Sequence, residues 1–132
     1  MGTQLPLVAI VDDEPEVLRG LRRLLRTEGF DVATYCSAEE FIGSLGSSHL
    51  DCLVLDLHMP GMTGFDVLEA LAAVPDQSTR PPVVVLTGND TAASRARAQG
   101  ASAFLTKPAD ADILIPAIRN AMSRRAVVAS TQ

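Results

Sequence analysis

The chain is poor in several things, and each shortage removes a class of protein. Aromatic residues make up only 4% of its 132 positions. No apolar run approaches the ~20 residues that a membrane-spanning helix needs. No basic stretch followed by a long apolar segment marks the N-terminus as a signal peptide, so a cytoplasmic protein is expected. Cysteine occurs only at Cys36 and Cys52, too few for a disulfide framework and not at metal-ligand spacing, so both are expected to be small buried hydrophobes. Positive charge is in deficit, with a formal net charge of −5, which disfavours direct nucleic-acid binding. The cluster Arg19, Arg22, Arg23 and Arg26 falls at helical spacing among leucines and reads as a solvated helix face. Internal repeats and low-complexity segments are missing too.

What is present is a composition for one globular domain: 47% apolar and 20% charged residues, in a length that can bury a substantial core. Strand and helix patterns alternate along it. Leu5 to Asp12 is a nearly continuous apolar run, as in a strand covered on both faces. Pro15 suits the first turn of a helix that carries Val17, Leu18, Leu21, Leu24 and Leu25 and ends at Gly29. Asp31 to Tyr35 is a second strand. Ser37 with Glu40 reads as a capping box for a short helix reaching about Leu45. Asp51 to Asp56, Val83 to Thr87 and Ala103 to Thr106 are further strands. Helices are predicted from Gly64 to Val74, from a Thr91 cap to Gln99, and from about Asp112 to Arg125. Pro116 lies inside the last, where it removes a backbone bond and kinks the helix or delays its start, and Arg124 and Arg125 read as charges at its C-terminus. Five strands alternating with five helices predict a single α/β domain, a parallel sheet with helices on both faces. Residues 1–125 form this domain, and 126–132 are a tail or the start of a linker.

In such sheets ligands bind beyond the carboxyl ends of the strands. Asp12 and Asp13 end the first strand, Asp56 the third and Thr87 the fourth, while Lys107 and Pro108 follow the fifth. Asp56 stands at the end of a buried run, where a carboxylate is costly unless something pairs with it. A hard cation and Lys107 can share its charge. Oxygen ligands from Asp13, Asp56 and a backbone carbonyl suit Mg²⁺. A carboxylate beside a cation and an ammonium can attack phosphorus and form an aspartyl phosphate, a reaction that needs mainly positioning and charge neutralisation. Asp12 and Asp13 also fit a plain helix cap, but one acid suffices for that. Phe104 reads either as core or as a functional position.

The stretches VDDE (Val11 to Glu14), LDLHMPGMTG (Leu55 to Gly64), VLTG (Val85 to Gly88) and FLTKP (Phe104 to Pro108) together resemble a response-regulator receiver domain of two-component signalling. The resemblance covers nearly the whole chain and is nearest to the receivers of nitrogen-fixation-type DNA-binding regulators. It implies a flavodoxin-like sheet of strand order 2-1-3-4-5. It implies Asp56 as phosphoacceptor, Asp13 as a direct Mg²⁺ ligand, Asp12 acting partly through water, and the carbonyl of His58 as a third protein ligand. Thr87 becomes the switch hydroxyl, Phe104 the aromatic that rotates on activation, and Lys107 the partner of the phosphoryl group, with a cis bond before Pro108. His58 and Asn89 are placed where they set the lifetime of the aspartyl phosphate. The implied partners are a sensor histidine kinase, a second copy on activation and, if the chain is a piece of a longer regulator, a DNA-binding effector domain; no membrane is implied. The chain departs from the pattern at Ala109, where an aromatic is common, and at Pro116. Both lie near the face that receivers use for dimerisation. A haloacid-dehalogenase-type phosphatase would need an acid where His58 stands, and a dinucleotide fold would need a glycine-rich turn where VDDEPE stands.

Overall fold

The most apolar runs become the most buried strands. A computed structural model describes residues 4–46, 49–76, 80–88 and 93–130. Its strands are β1 (Leu7–Val11), β2 (Asp31–Tyr35), β3 (Cys52–Leu55), β4 (Val83–Thr87) and β5 (Ala103–Thr106). They alternate with α1 (Pro15–Thr27), α2 (Ala38–Gly43), α3 (Gly64–Ala72), α4 (Ala93–Ala98) and α5 (Ala111–Ser130). The sheet is parallel throughout and ordered β2-β1-β3-β4-β5. Every residue of β3 and β4 is buried, whereas the edge strands β2 and β5 hold no fully buried residue. This is the pattern expected when helices cover both faces and only the edges meet water.

Period-two alternation divides the strand side chains between two cores. Ala9, Val11, Leu53, Leu55, Val83 and Val85 pack with Phe41, Phe65, Leu68 and Leu71 from α2 and α3. Val8, Ile10, Val54, Val84 and Leu86 pack on the opposite face with Leu25 of α1 and Leu114 and Ile118 of α5. The Arg95 guanidinium lies 3.8 Å above the Phe65 ring and ties α4 to α3. Arg19, Arg22, Arg23 and Arg26 are all exposed, as the helical spacing predicts.

Local chemistry explains the helix ends. Pro15 opens α1, and Gly29, at φ +92°, lets the chain leave it. The Ser37 hydroxyl accepts from the Glu40 amide at 3.1 Å. At α3 the Asp66 carboxylate accepts from the Thr63 amide at 2.8 Å and from the Thr63 hydroxyl at 3.3 Å.

Four expectations need correction. Helices α2 and α3 stop short of Leu45 and Val74, at Gly43 and Ala72. Pro116 does not delay α5: the amides of Ile113 and Leu114 both bond the Asp110 carbonyl at 2.9 Å, so the first turn forms ahead of the proline. The helix also continues to Ser130, so Arg124 and Arg125 are not at its end and residues 126–130 are helical. Finally, Cys36 is exposed, because it lies just past the end of an edge strand, while Cys52 in central β3 is buried and its thiol pKa is pushed up to about 12 by desolvation. The Thr91 cap and Asn89 lie outside the described residues.

Candidate functional site

Ladder bonds carry the backbone past each strand end and fix the site residues. The Asp12 amide bonds the Tyr35 carbonyl at 3.1 Å, and the Asp56 amide bonds the Val11 carbonyl at 3.0 Å. The Lys107 amide bonds the Thr87 carbonyl at 2.7 Å. Asp12, Asp56 and Lys107, far apart in sequence, are thereby brought to one rim.

The side chains converge on a single ammonium. Lys107 Nζ lies 2.8 Å from Asp12 Oδ2, 3.0 Å from Glu14 Oε1 and 3.3 Å from Asp56 Oδ2. The Glu14 amide donates to Asp12 Oδ1 at 2.9 Å, and the His58 amide donates to Asp56 Oδ1 at 3.2 Å. Asp12 and Asp56 are only 2% and 4% exposed, so each depends on these bonds. Carboxylate oxygens of Asp12, Asp13 and Asp56 all lie within 4.8 Å of one another.

Burial raises the Asp12 pKa above the ordinary value, and the Lys107 hydrogen bond only partly offsets this. Burial works against the charge of Lys107 as well. There the hydrogen bonds to Asp12 and Glu14, with the negative charges of Asp56 and Asp12, outweigh it, and the pKa rises further above 10.5. Three carboxylates therefore face one ammonium, with Asp13 beside two of them, and the pocket is short of positive charge. All its donors are oxygens, the set that suits a hard divalent cation.

Thr87 ends β4 fully buried, and its hydroxyl has no hydrogen-bond partner among the described residues. An orphaned buried hydroxyl is uncommon and marks a place where a further acceptor fits. The register Val85↔Phe104 and Thr87↔Thr106 places Phe104 on the same sheet face as Thr87, two pairs down. Phe104 is half-buried against the α2–α3 core. The His58 side chain is exposed, and the Lys107–Pro108 peptide is cis.

Two residues acquire roles that sequence reading did not give them. Glu14 was visible only as a third acid beside an acidic pair; its bond to Lys107 spans 93 residues. Gly64 was visible only as part of a motif. Its amide bonds the Leu57 carbonyl at 3.1 Å, and a Cβ there would collide with the carbonyl oxygen of Asp56.

A doubly wound, flavodoxin-like α/β domain with a buried acid cluster at its carboxyl rim is the class that fold and site define. The chain belongs to the response regulator receiver domain family, whose profile matches residues 8–119. It is thus a receiver domain of two-component signalling. It is 36% identical over 124 residues to the response regulator protein TmoT of Ectopseudomonas mendocina, an alignment covering 92% of this chain and 55% of that protein. The chain spans about half the length of the curated relatives it matches. Among solved structures, a response regulator receiver protein from Burkholderia phymatum is 37% identical with a TM-score of 0.77, covering 89% of this chain and 95% of that one. The FixJ-N structure is 35% identical with a TM-score of 0.81, covering 92% and 96%. Among the described residues no helix is long and apolar enough to cross a membrane.

Proposed function

We propose that the domain is a phosphorylation-activated switch in which Asp56 accepts a phosphoryl group from a sensor histidine kinase in a Mg²⁺-dependent reaction. The observation that carries this reading is the buried Asp56 carboxylate, held by Lys107 beside two further acids, with the unpartnered Thr87 hydroxyl on the same rim. Asp13, Asp56, Asp12 and the carbonyl of His58 would hold the Mg²⁺. When bound, the cation supplies positive charge opposite the phosphoryl oxygens. Asp56 Oδ forms the new O–P bond as the P–N bond of the donor's phosphohistidine breaks, and the leaving imidazole nitrogen takes up a proton. Lys107 neutralises one phosphoryl oxygen, and the Thr87 hydroxyl donates to another. Catalysis is confined to forming and losing the domain's own aspartyl phosphate, and its place is the cytoplasm.

The output runs through Thr87 and Phe104. Drawing the Thr87 hydroxyl toward the phosphoryl group frees space on the face that Phe104 shares, and inward rotation of Phe104 remodels the surface around β5. That surface serves a homodimer or a partner. A DNA-binding effector domain is the partner where the chain is one part of a longer regulator.

Beryllofluoride, a phosphoryl mimic, tests the reading in a thermal-shift assay. With Mg²⁺ at saturating concentrations it is expected to raise the melting temperature by roughly 5–10 °C, as a ligand at about 100 times its Kd does for a domain of this size. Asp56→Asn is expected to show no such shift. No shift in the parent would remove the phosphoacceptor role.

A further inference from the structure

Among its three carboxylate partners, Lys107 Nζ is nearest Asp12, next nearest Glu14 and farthest from Asp56. The three differ in their surroundings. Asp12 and Asp56 are buried, whereas the Glu14 side chain is 61% exposed. A buried carboxylate cannot leave its ammonium without a large desolvation cost. An exposed one exchanges it for water almost freely. Among these acids Glu14 alone can release Lys107 without a buried charge being left behind.

The backbone of Glu14 is fixed from both sides. Its amide is bonded to Asp12 Oδ1, and its carbonyl accepts the first bond of α1 from the Leu18 amide at 3.1 Å. Motion is therefore left to the side chain, which reaches back over the rim from the helix cap.

Building on the switch reading above, we propose that Glu14 is a positioning residue, a releasable tether that shares the Lys107 ammonium with Asp12 and Asp56 in the resting domain and yields it to the incoming phosphoryl group. Asp12 keeps hold of Lys107 throughout. The tether sets a threshold: an arriving phosphoryl oxygen must outcompete the Glu14 carboxylate before Lys107 can neutralise it. Glu14 also adds negative charge beside the cation site. Its loss therefore acts in opposite directions on two ligands, strengthening a phosphoryl mimic and weakening the metal.

Titration calorimetry on the parent, Glu14→Ala, Glu14→Gln and Glu16→Gln tests this, first with Mg²⁺ alone and then with beryllofluoride at saturating Mg²⁺. In Glu14→Ala, Mg²⁺ is expected to bind about two- to five-fold more weakly and beryllofluoride about two- to five-fold more tightly, the range for loss of one exposed ion pair. Glu14→Gln weakens Mg²⁺ to a similar extent, because the charge is lost, and tightens beryllofluoride by less, because its amide oxygen still accepts from Lys107. Glu16 is exposed in the same helical turn and makes no bond to Lys107, so Glu16→Gln leaves beryllofluoride affinity at the parent value. A merely structural role for Glu14 would lower both affinities together. Beryllofluoride affinity unchanged or reduced in both Glu14 variants, with the parent binding normally, overturns the tether alone. A parent that binds no beryllofluoride overturns the phosphoacceptor reading and the tether with it.

Discussion

Lys107→Ala is expected to slow phosphorylation of Asp56 by a small-molecule donor by about 10²–10³-fold, the usual loss when one charge-stabilising donor is removed from a transition state. Phosphoryl transfer asks little covalent chemistry of the protein and depends on neutralising the transferred group, so losing the ammonium that contacts Asp12, Glu14 and Asp56 is a large loss. The same change strands buried Asp12 and Asp56, and the domain is expected to lose about 1–3 kcal/mol of stability at pH 7 by urea unfolding. The pH dependence has a definite sign. Lys107 is raised above its ordinary 10.5 in the folded state, so the folded protein holds this proton more tightly than the unfolded chain. Its contribution is complete below pH 10.5 and disappears as pH rises beyond that toward the native value. Parent stability should fall in this alkaline window, and Lys107→Ala should lack that component. A variant that phosphorylates at the parent rate would show that Lys107 is not the neutralising group.

Gly64→Ala is expected to cost about 1–3 kcal/mol, the usual penalty for overpacking, for a reason seen in the backbone alone. The added Cβ would overlap the Asp56 carbonyl oxygen and sit 2.7 Å from Leu57 Cα, and neither atom belongs to a side chain that can rotate away. Helix α3 and the Asp56 peptide must separate, which displaces Asp56 from Lys107. Misplacement of a reacting group by about 1 Å costs up to about 10²-fold in rate, so phosphorylation is expected to slow with stability. Gly20→Ala supplies the contrast. A Cβ there meets nothing within 4 Å, and alanine inside α1 should stabilise by about 0.5–1 kcal/mol. Urea midpoints for the two variants should move in opposite directions. A Gly64→Ala midpoint matching the parent would mean that the close approach is not needed.

Much of this molecule is legible in its residue order. The apolar runs of β1, β3 and β4 are nearly unbroken because both faces are covered, and that implies a doubly wound sheet before any pairing is known. Asp56 stands out because a carboxylate closing such a run needs partners, and Asp12, Asp13, Thr87 and Lys107 recur at the same strand end, where the fold brings them together. Helix ends were less legible. Pro116 reads as an interruption, yet its missing amide falls one turn in from an end already closed by Asp110. Cys36 reads as buried because cysteines usually are; its exposure follows from the edge position of β2, a property of sheet order. Glu14 was hidden for a related reason, since its partner is brought to it by the strand order and not by the local sequence. Gly64 matters through backbone contact, which composition does not encode.

The central claim, that Asp56 is a Mg²⁺-dependent phosphoacceptor, is tested most directly by intact-protein mass spectrometry after incubation with acetyl phosphate. The parent should gain the mass of one phosphoryl group with Mg²⁺ and none without it, and Asp56→Asn should gain none under either condition. An unmodified parent, or an equal adduct on Asp56→Asn, would contradict it.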